Sequence, residues 1–134
     1  MKKYEVLEHT ADLKIKVWAK DRQELFINAL VAMFEAIEPD ITSAKTHTRN
    51  IQAASDDESL LLIDFLSEAL YLSDINNEIY IDVNFKNFTP NGLQAELTAK
   101  PIKGFKEEIK AVTYHGFKIE KTDRGLETEI IFDI

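Results

Sequence analysis

Glu78-Ile79-Tyr80-Ile81-Asp82-Val83-Asn84-Phe85-Lys86-Asn87-Phe88-Thr89-Pro90-Asn91-Gly92-Leu93-Gln94-Ala95-Glu96-Leu97-Thr98-Ala99-Lys100 is the stretch whose reading decides the fold. Glu78 to Phe85 and Leu93 to Lys100 alternate apolar with polar residues, the period of a half-buried strand. Between them Thr89-Pro90-Asn91-Gly92 is a turn with a mechanism: proline presets φ, and Asn or Gly tolerates positive φ. Downstream, Ile109 to His115, Phe117 to Lys121 and Leu126 to Asp133 read as a meander, with Asp123-Arg124-Gly125 as its last tight turn.

Upstream the period changes. Tyr4 to His9 reads as a short strand, and Leu13-Lys14-Ile15-Lys16-Val17 alternates apolar with cationic, so one of its faces is wet. Asp21 with Glu24 three residues on resembles a capping box. Leu25, Phe26, Ala29, Leu30, Met33, Phe34 and Ile37 then hold a helical stripe until Pro39 stops it. Thr42 to Ala54 is polar and β-branched, a strand. Ser55-Asp56-Asp57-Glu58 is a second capping box, opening a helix from about Asp57 to Ser73. On it Leu62, Leu66, Ala69 and Leu70 form the apolar stripe, while Asp57, Asp64, Glu68 and Tyr71 share another face. The expectation is a single α+β domain over residues 1–134, a two-layer sandwich of two helices packed on a largely antiparallel β-sheet.

A chain of 134 residues is one ordinary domain, burying roughly two thirds of its unfolded surface. With 24 acidic against 16 basic residues, its formal charge of −8 opposes a polyphosphate, because affinity for nucleic acid rests mainly on Lys and Arg. Direct nucleic acid binding is not expected, though a protein that binds RNA is an acceptable partner. The absence of cysteine excludes disulfides, thiolate catalysis and Cys-ligated metals. No apolar run approaches the ~18 residues of a membrane span, so a soluble, cytoplasmic protein with no membrane partner is expected.

Candidate chemistry lies at the two ends. If the first and last strands are neighbours, Asp12 and Asp133 converge as oxygen donors for a hard divalent cation, joined by the α-carboxylate of Ile134 if that residue is the native end. Three like charges held together are costly unless a cation or protons offset them. From spacing alone the plainer reading is that Asp12 caps a turn and Asp133 faces solvent. His9 and His115 could act as bases or ligands, but paired histidines at strand ends are more often hydrogen-bonded structural groups. His115 is read as structural, and His9 as a group that could support the ligands from behind. No Gly-x-Ser-x-Gly elbow or phosphate-binding Gly-rich loop is present, and glycines number four. Catalytic residues are therefore not assigned. From Asn50 to Phe85 there is no Lys or Arg but eight acids. A solvated helix face explains this, or else Asp57, Asp64 and Glu68 dock a basic partner.

Five segments in order carry a family resemblance: His9-Thr10-Ala11-Asp12, Glu24-Leu25-Phe26, Asp64-Phe65-Leu66-Ser67-Glu68, Lys110-Ala111-Val112-Thr113-Tyr114-His115, and Phe132-Asp133-Ile134. Together they resemble the archease family, with Lys14 where glycine is frequent and Phe65 where tryptophan is common. The resemblance implies a strand-helix-strand-strand module with an inserted segment. It implies an accessory protein, not an enzyme, that promotes guanylylation of the active-site histidine of the tRNA-splicing RNA ligase and its multiple turnover. It also implies a divalent cation, calcium first and magnesium or manganese as alternatives, held by Asp12, Asp133 and Ile134. Two other readings stand beside this one: a general chaperone-like factor for RNA-modifying enzymes such as a tRNA methyltransferase, and a metal-dependent hydrolase using Asp12 and Asp133.

Overall fold

The computed structural model describes residues 2–9, 12–113 and 117–134, with the main chain alone at positions 8 and 9. The elements are β1 (Tyr4–His9), β2 (Asp12–Ala19), α1 (Arg22–Ala36), β3 (Pro39–Ile41), β4 (His47–Ala54), α2 (Glu58–Asn76), β5 (Glu78–Thr89), β6 (Gly92–Phe105), β7 (Ala111–Val112), β8 (Glu120–Thr122) and β9 (Gly125–Asp133). The expected α+β class holds, and every strand pairing is antiparallel.

The strands divide into two sheets. In one, β1, β2 and β9 lie side by side, and β9 also pairs with β7 and β8; in the other, β6 pairs with β5, β4 and β3. The β5–β6 hairpin forms where the sequence places it. Thr89 Oγ1 accepts from the N–H groups of Asn91 and Gly92, at 3.3 and 3.1 Å, closing the turn. Two register shifts, between Tyr80 and Asp82 and between Phe85 and Asn87, interrupt its ladder.

Both helices touch both sheets: α1 packs on β2, β9 and β5, and α2 on β4, β5 and β7. A helix covered on several sides needs apolar residues around most of its circumference. In α1 the buried set is accordingly Leu25, Phe26, Asn28, Ala29, Leu30, Ala32, Met33 and Phe34. Asn28 is tolerated there because its Nδ2 donates to the Trp18 carbonyl at 2.7 Å. Asp21 caps α1, accepting from Glu24 N–H at 2.9 Å.

Some boundaries differ from expectation. The α2 cap is Asp57, which accepts from Leu60 N–H at 2.9 Å, rather than Ser55. The helix runs past Ser73 to Asn76 and is ended by Asn77, whose φ of 53° is left-handed. Of the strand expected over 109–115, whose positions 114 and 115 lie outside the described residues, Ala111 and Val112 form a ladder with β9, flanked by main-chain bonds from Lys110 N–H to the Asp133 carbonyl and from Thr113 N–H to the Ile131 carbonyl. The strand expected over 117–121 is displaced to Glu120–Thr122. Ile109, Phe117 and Ile119, outside the described strands, pack against the core.

Candidate functional site

β2 and β9 determine what meets at the candidate site. Leu13 lies opposite Phe132 and Ile15 opposite Ile130, and all four are buried. Slipping one strand of this ladder by one residue would turn its row of apolar side chains to solvent, so the register is locked. The next pair along is Asp12 opposite Asp133, both exposed, on the face away from the core. The neighbour of the last strand is β2, not the first strand that the sequence suggests, and it is the β2–β9 register that sets the two aspartates opposite each other. On the other side of Asp133 stands Ala111, and Lys110 N–H donates to the Asp133 carbonyl at 2.7 Å. Ile134, the third predicted donor, follows directly and is half-buried.

Further along this outer face Lys16 Nζ lies 3.0 Å from Glu127 and sits 5.5 Å over the Trp18 ring. At the end of the ladder two carboxylates face each other directly, an arrangement that costs stability unless something positive sits between them. Their oxygens are hard donors of the kind Ca²⁺, Mg²⁺ and Mn²⁺ accept. Among the described residues no three His, Cys, Asp or Glu side chains gather into a metal cluster. A cation here would take two side-chain carboxylates and need further oxygens from Ile134, water or a partner. His115 and the side chain of His9 lie outside the described residues.

The acidic set on α2 is smaller than the sequence suggests. Asp57 is exposed, but its carboxylate is engaged in the cap. Glu58 pairs with Arg22. Asp64 and Glu68 are half-buried along the same line of the helix, which continues into Tyr71 and Ile75, 59% and 54% exposed.

Glu78, counted with the acids, belongs to the interior: it is 2% exposed. Arg49 grips it with two bonds, 2.8 and 2.9 Å, while Tyr80 OH donates at 2.7 Å and His47 Nε2 lies 2.6 Å away. Burial pushes the Glu78 carboxyl up, but the hydrogen bonds from Arg49, Tyr80 and His47 outweigh it and hold it at about 2. Burial and the hydrogen bond to Glu78 push the Tyr80 hydroxyl well above its ordinary range. This network ties β4 to β5 and is a structural device.

Sequence reasoning also missed a groove of about 790 Å³ between the C-terminal half of α2 and the segment leading into β7, with Leu70, Tyr71, Asp74, Phe105 and Ile109 among its walls. Tyr71, an aromatic residue set off the apolar stripe of its helix, was the available signal.

Against known proteins, a family model described as the Archease protein family (MTH1598/TM1083) matches residues 4–134. Protein archease of Methanosarcina barkeri is 35% identical over 141 residues, covering 99% of this chain and 97% of that protein. Protein archease of Pyrococcus abyssi is 34% identical, covering 93% of each. The solution structure of protein 1598 of Methanobacterium thermoautotrophicum superposes with a TM-score of 0.71 at 29% identity, over 100% of both chains. The crystal structure of an archease described as a possible chaperone, from Thermotoga maritima, gives 0.65 at 23% identity, over 97% of this chain and 96% of that one, and speaks for the fold alone.

Proposed function

This chain belongs to the archease family, and from that premise we propose that it is an accessory protein of the tRNA-splicing RNA ligase, promoting guanylylation of the ligase's active-site histidine and its multiple turnover. The observation that carries the reading is the face-to-face placement of Asp12 and Asp133 at an exposed sheet end, where the ladder register leaves neither a choice of side. Asp12, Asp133 and an oxygen of Ile134 hold a divalent cation, calcium first, with magnesium or manganese as substitutes. Such an ion, when bound, supplies positive charge for a developing phosphoryl oxyanion. The chain's own contribution is placement, since Leu13 and Phe132 anchor the two carboxylates from behind, so that the pair is presented to the partner on a rigid sheet.

No role in turnover of its own is assigned to the chain. Its formal charge of −8 argues that it reaches an RNA reaction through the enzyme and not by binding the nucleic acid. The test is the rate at which purified ligase becomes guanylylated by GTP with and without this protein. Acceleration supports the reading; an unchanged rate refutes it. Stimulation of a tRNA methyltransferase with no effect on the ligase would favour the general chaperone-like role. Phosphoesterase turnover by the isolated protein with Mn²⁺, lost in Asp12→Asn, would favour the hydrolase.

A further inference from the structure

The groove beside α2 has the size of clefts that hold a ligand, which run from ~300 to 1,000 Å³, at about 790 Å³. Its chemistry is asymmetric. The whole of α2, Glu58 to Asn76, contains no Lys, Arg or His, so anything lying along that wall meets carboxylates, with Asp74 in the lining and Glu68 on the adjoining face. The opposite wall adds Glu108 beside Lys110, the one cation among the described lining residues. The floor is apolar, with Ile37, Leu70, Ile109 and Val112. Two rings stand at its rim and remain open to solvent, Tyr71 at 59% and Phe105 at 42%. Such rings accept a guanidinium or ammonium over their faces.

An anionic wall rejects nucleic acid and an acidic peptide alike. What complements it is a polypeptide segment with an apolar side chain for the floor and Arg or Lys toward Asp74 and the rings. Position supplies a second argument. Ala111, which lines one end of the groove, is the ladder partner of Asp133. The groove therefore adjoins the strand that carries one of the two opposed aspartates.

We propose that this groove is the docking cleft for a basic, apolar-anchored segment of the partner ligase, and that seating the segment brings the ligase's reacting centre to Asp12 and Asp133. The inference rests on the ligase reading given above and adds to it which surface is used and what chemistry it takes. Rim aromatics at the centre of an interface carry a disproportionate share of its affinity, whereas exposed acids chiefly set the association rate and its salt dependence.

The experiment measures binding of purified ligase to the wild type, to the double variant Tyr71→Ala/Phe105→Ala and to Asp74→Lys, by interferometry at low and physiological salt. A photo-crosslinking amino acid is placed at position 71 and, as a control, at position 87 on β5. The expected result is a Kd raised about tenfold or more in the double variant, slower association for Asp74→Lys, and a crosslink from position 71 to one ligase segment with Arg or Lys beside an apolar residue. Wild-type affinity in both variants overturns the groove while leaving the ligase reading standing. A position-71 crosslink to a second copy of this chain, or to a ligase segment without basic residues, also overturns it. If the wild type does not bind the ligase at all, the functional reading falls and this occupant with it.

Discussion

Replacing Asp133 by Asn should have opposite effects on stability with and without a divalent cation. Asp12 and Asp133 are direct ladder partners on an exposed face. Carboxylates so placed are ~5 Å apart and repel by about 0.8 kcal/mol at the dielectric of water, within the range of roughly 0.2–1 kcal/mol for cross-strand pairs. Neutralising one in EDTA should stabilise the fold by about 0.5 kcal/mol. An unfolding entropy of ~2.1 cal/mol/K per residue makes that a rise of about 2 °C in Tm for a chain of this length. With Ca²⁺ at about 100 times Kd the wild type gains ~2.7 kcal/mol, or about 10 °C, and Asp133→Asn should lose most of that gain. Asp12→Asn should behave the same way. Thermal unfolding followed by circular dichroism, in EDTA and over a Ca²⁺ series, reads both signs. A variant that is less stable than the wild type in EDTA and gains equally from Ca²⁺ refutes the reasoning, because the pair would then neither repel nor share an ion.

Glu78→Gln should destabilise by about 2–4 kcal/mol at neutral pH, since Tyr80 and Arg49 lose a charged acceptor in a buried place. Because the Glu78 carboxyl is held at about 2, below its ordinary 4.5, its contribution is present above pH 4.5 and is lost as the pH falls towards 2; denaturant midpoints of wild type and variant should converge across that window. Gly125→Ala should cost at least ~2 kcal/mol by urea unfolding, because φ is 122° and a Cβ would meet the Ala19 carbonyl oxygen at 2.3 Å, whereas Gly104→Ala, with nothing within 4 Å of its Cβ, should be tolerated. Asp57→Ala should lower stability by about 1 kcal/mol through loss of the α2 cap, and Glu68→Lys should not.

The hairpin over residues 78–100 was legible because its turn chemistry is local: Pro90, Asn91 and Gly92 specify it whatever surrounds them. Its full length was not, because the two bulges shift the period of two and hide the continuation of β5 to Thr89. Two sheets instead of one also escaped a reading by stripes. The sign was Ala32 and Asn28, off the apolar line of α1 yet buried. Among the described residues the strands expected over 109–113 and 117–121 come out shorter or shifted, since an apolar residue such as Ile109 or Phe117 packs on the core equally well from a loop. Glu78 looked like one more surface acid; partners distant in sequence, Arg49 and His47, join Tyr80 in making it a core residue. At the candidate site, alternation in Leu13 to Val17 showed that one face of that strand is wet, the face on which Asp12 lies. The direct opposition of Asp12 and Asp133 depended on a register that single-strand patterns do not carry.

The most direct measurement of the central claim is GTP-dependent guanylylation of excess purified ligase by a substoichiometric amount of this protein, comparing wild type with Asp12→Ala and with Asp133→Asn. The account predicts that the wild type carries many ligase molecules through guanylylation and that both variants, though still able to bind the ligase, leave the rate near its unassisted value. Variants that stimulate as well as the wild type, or a wild type that does not stimulate, would contradict it.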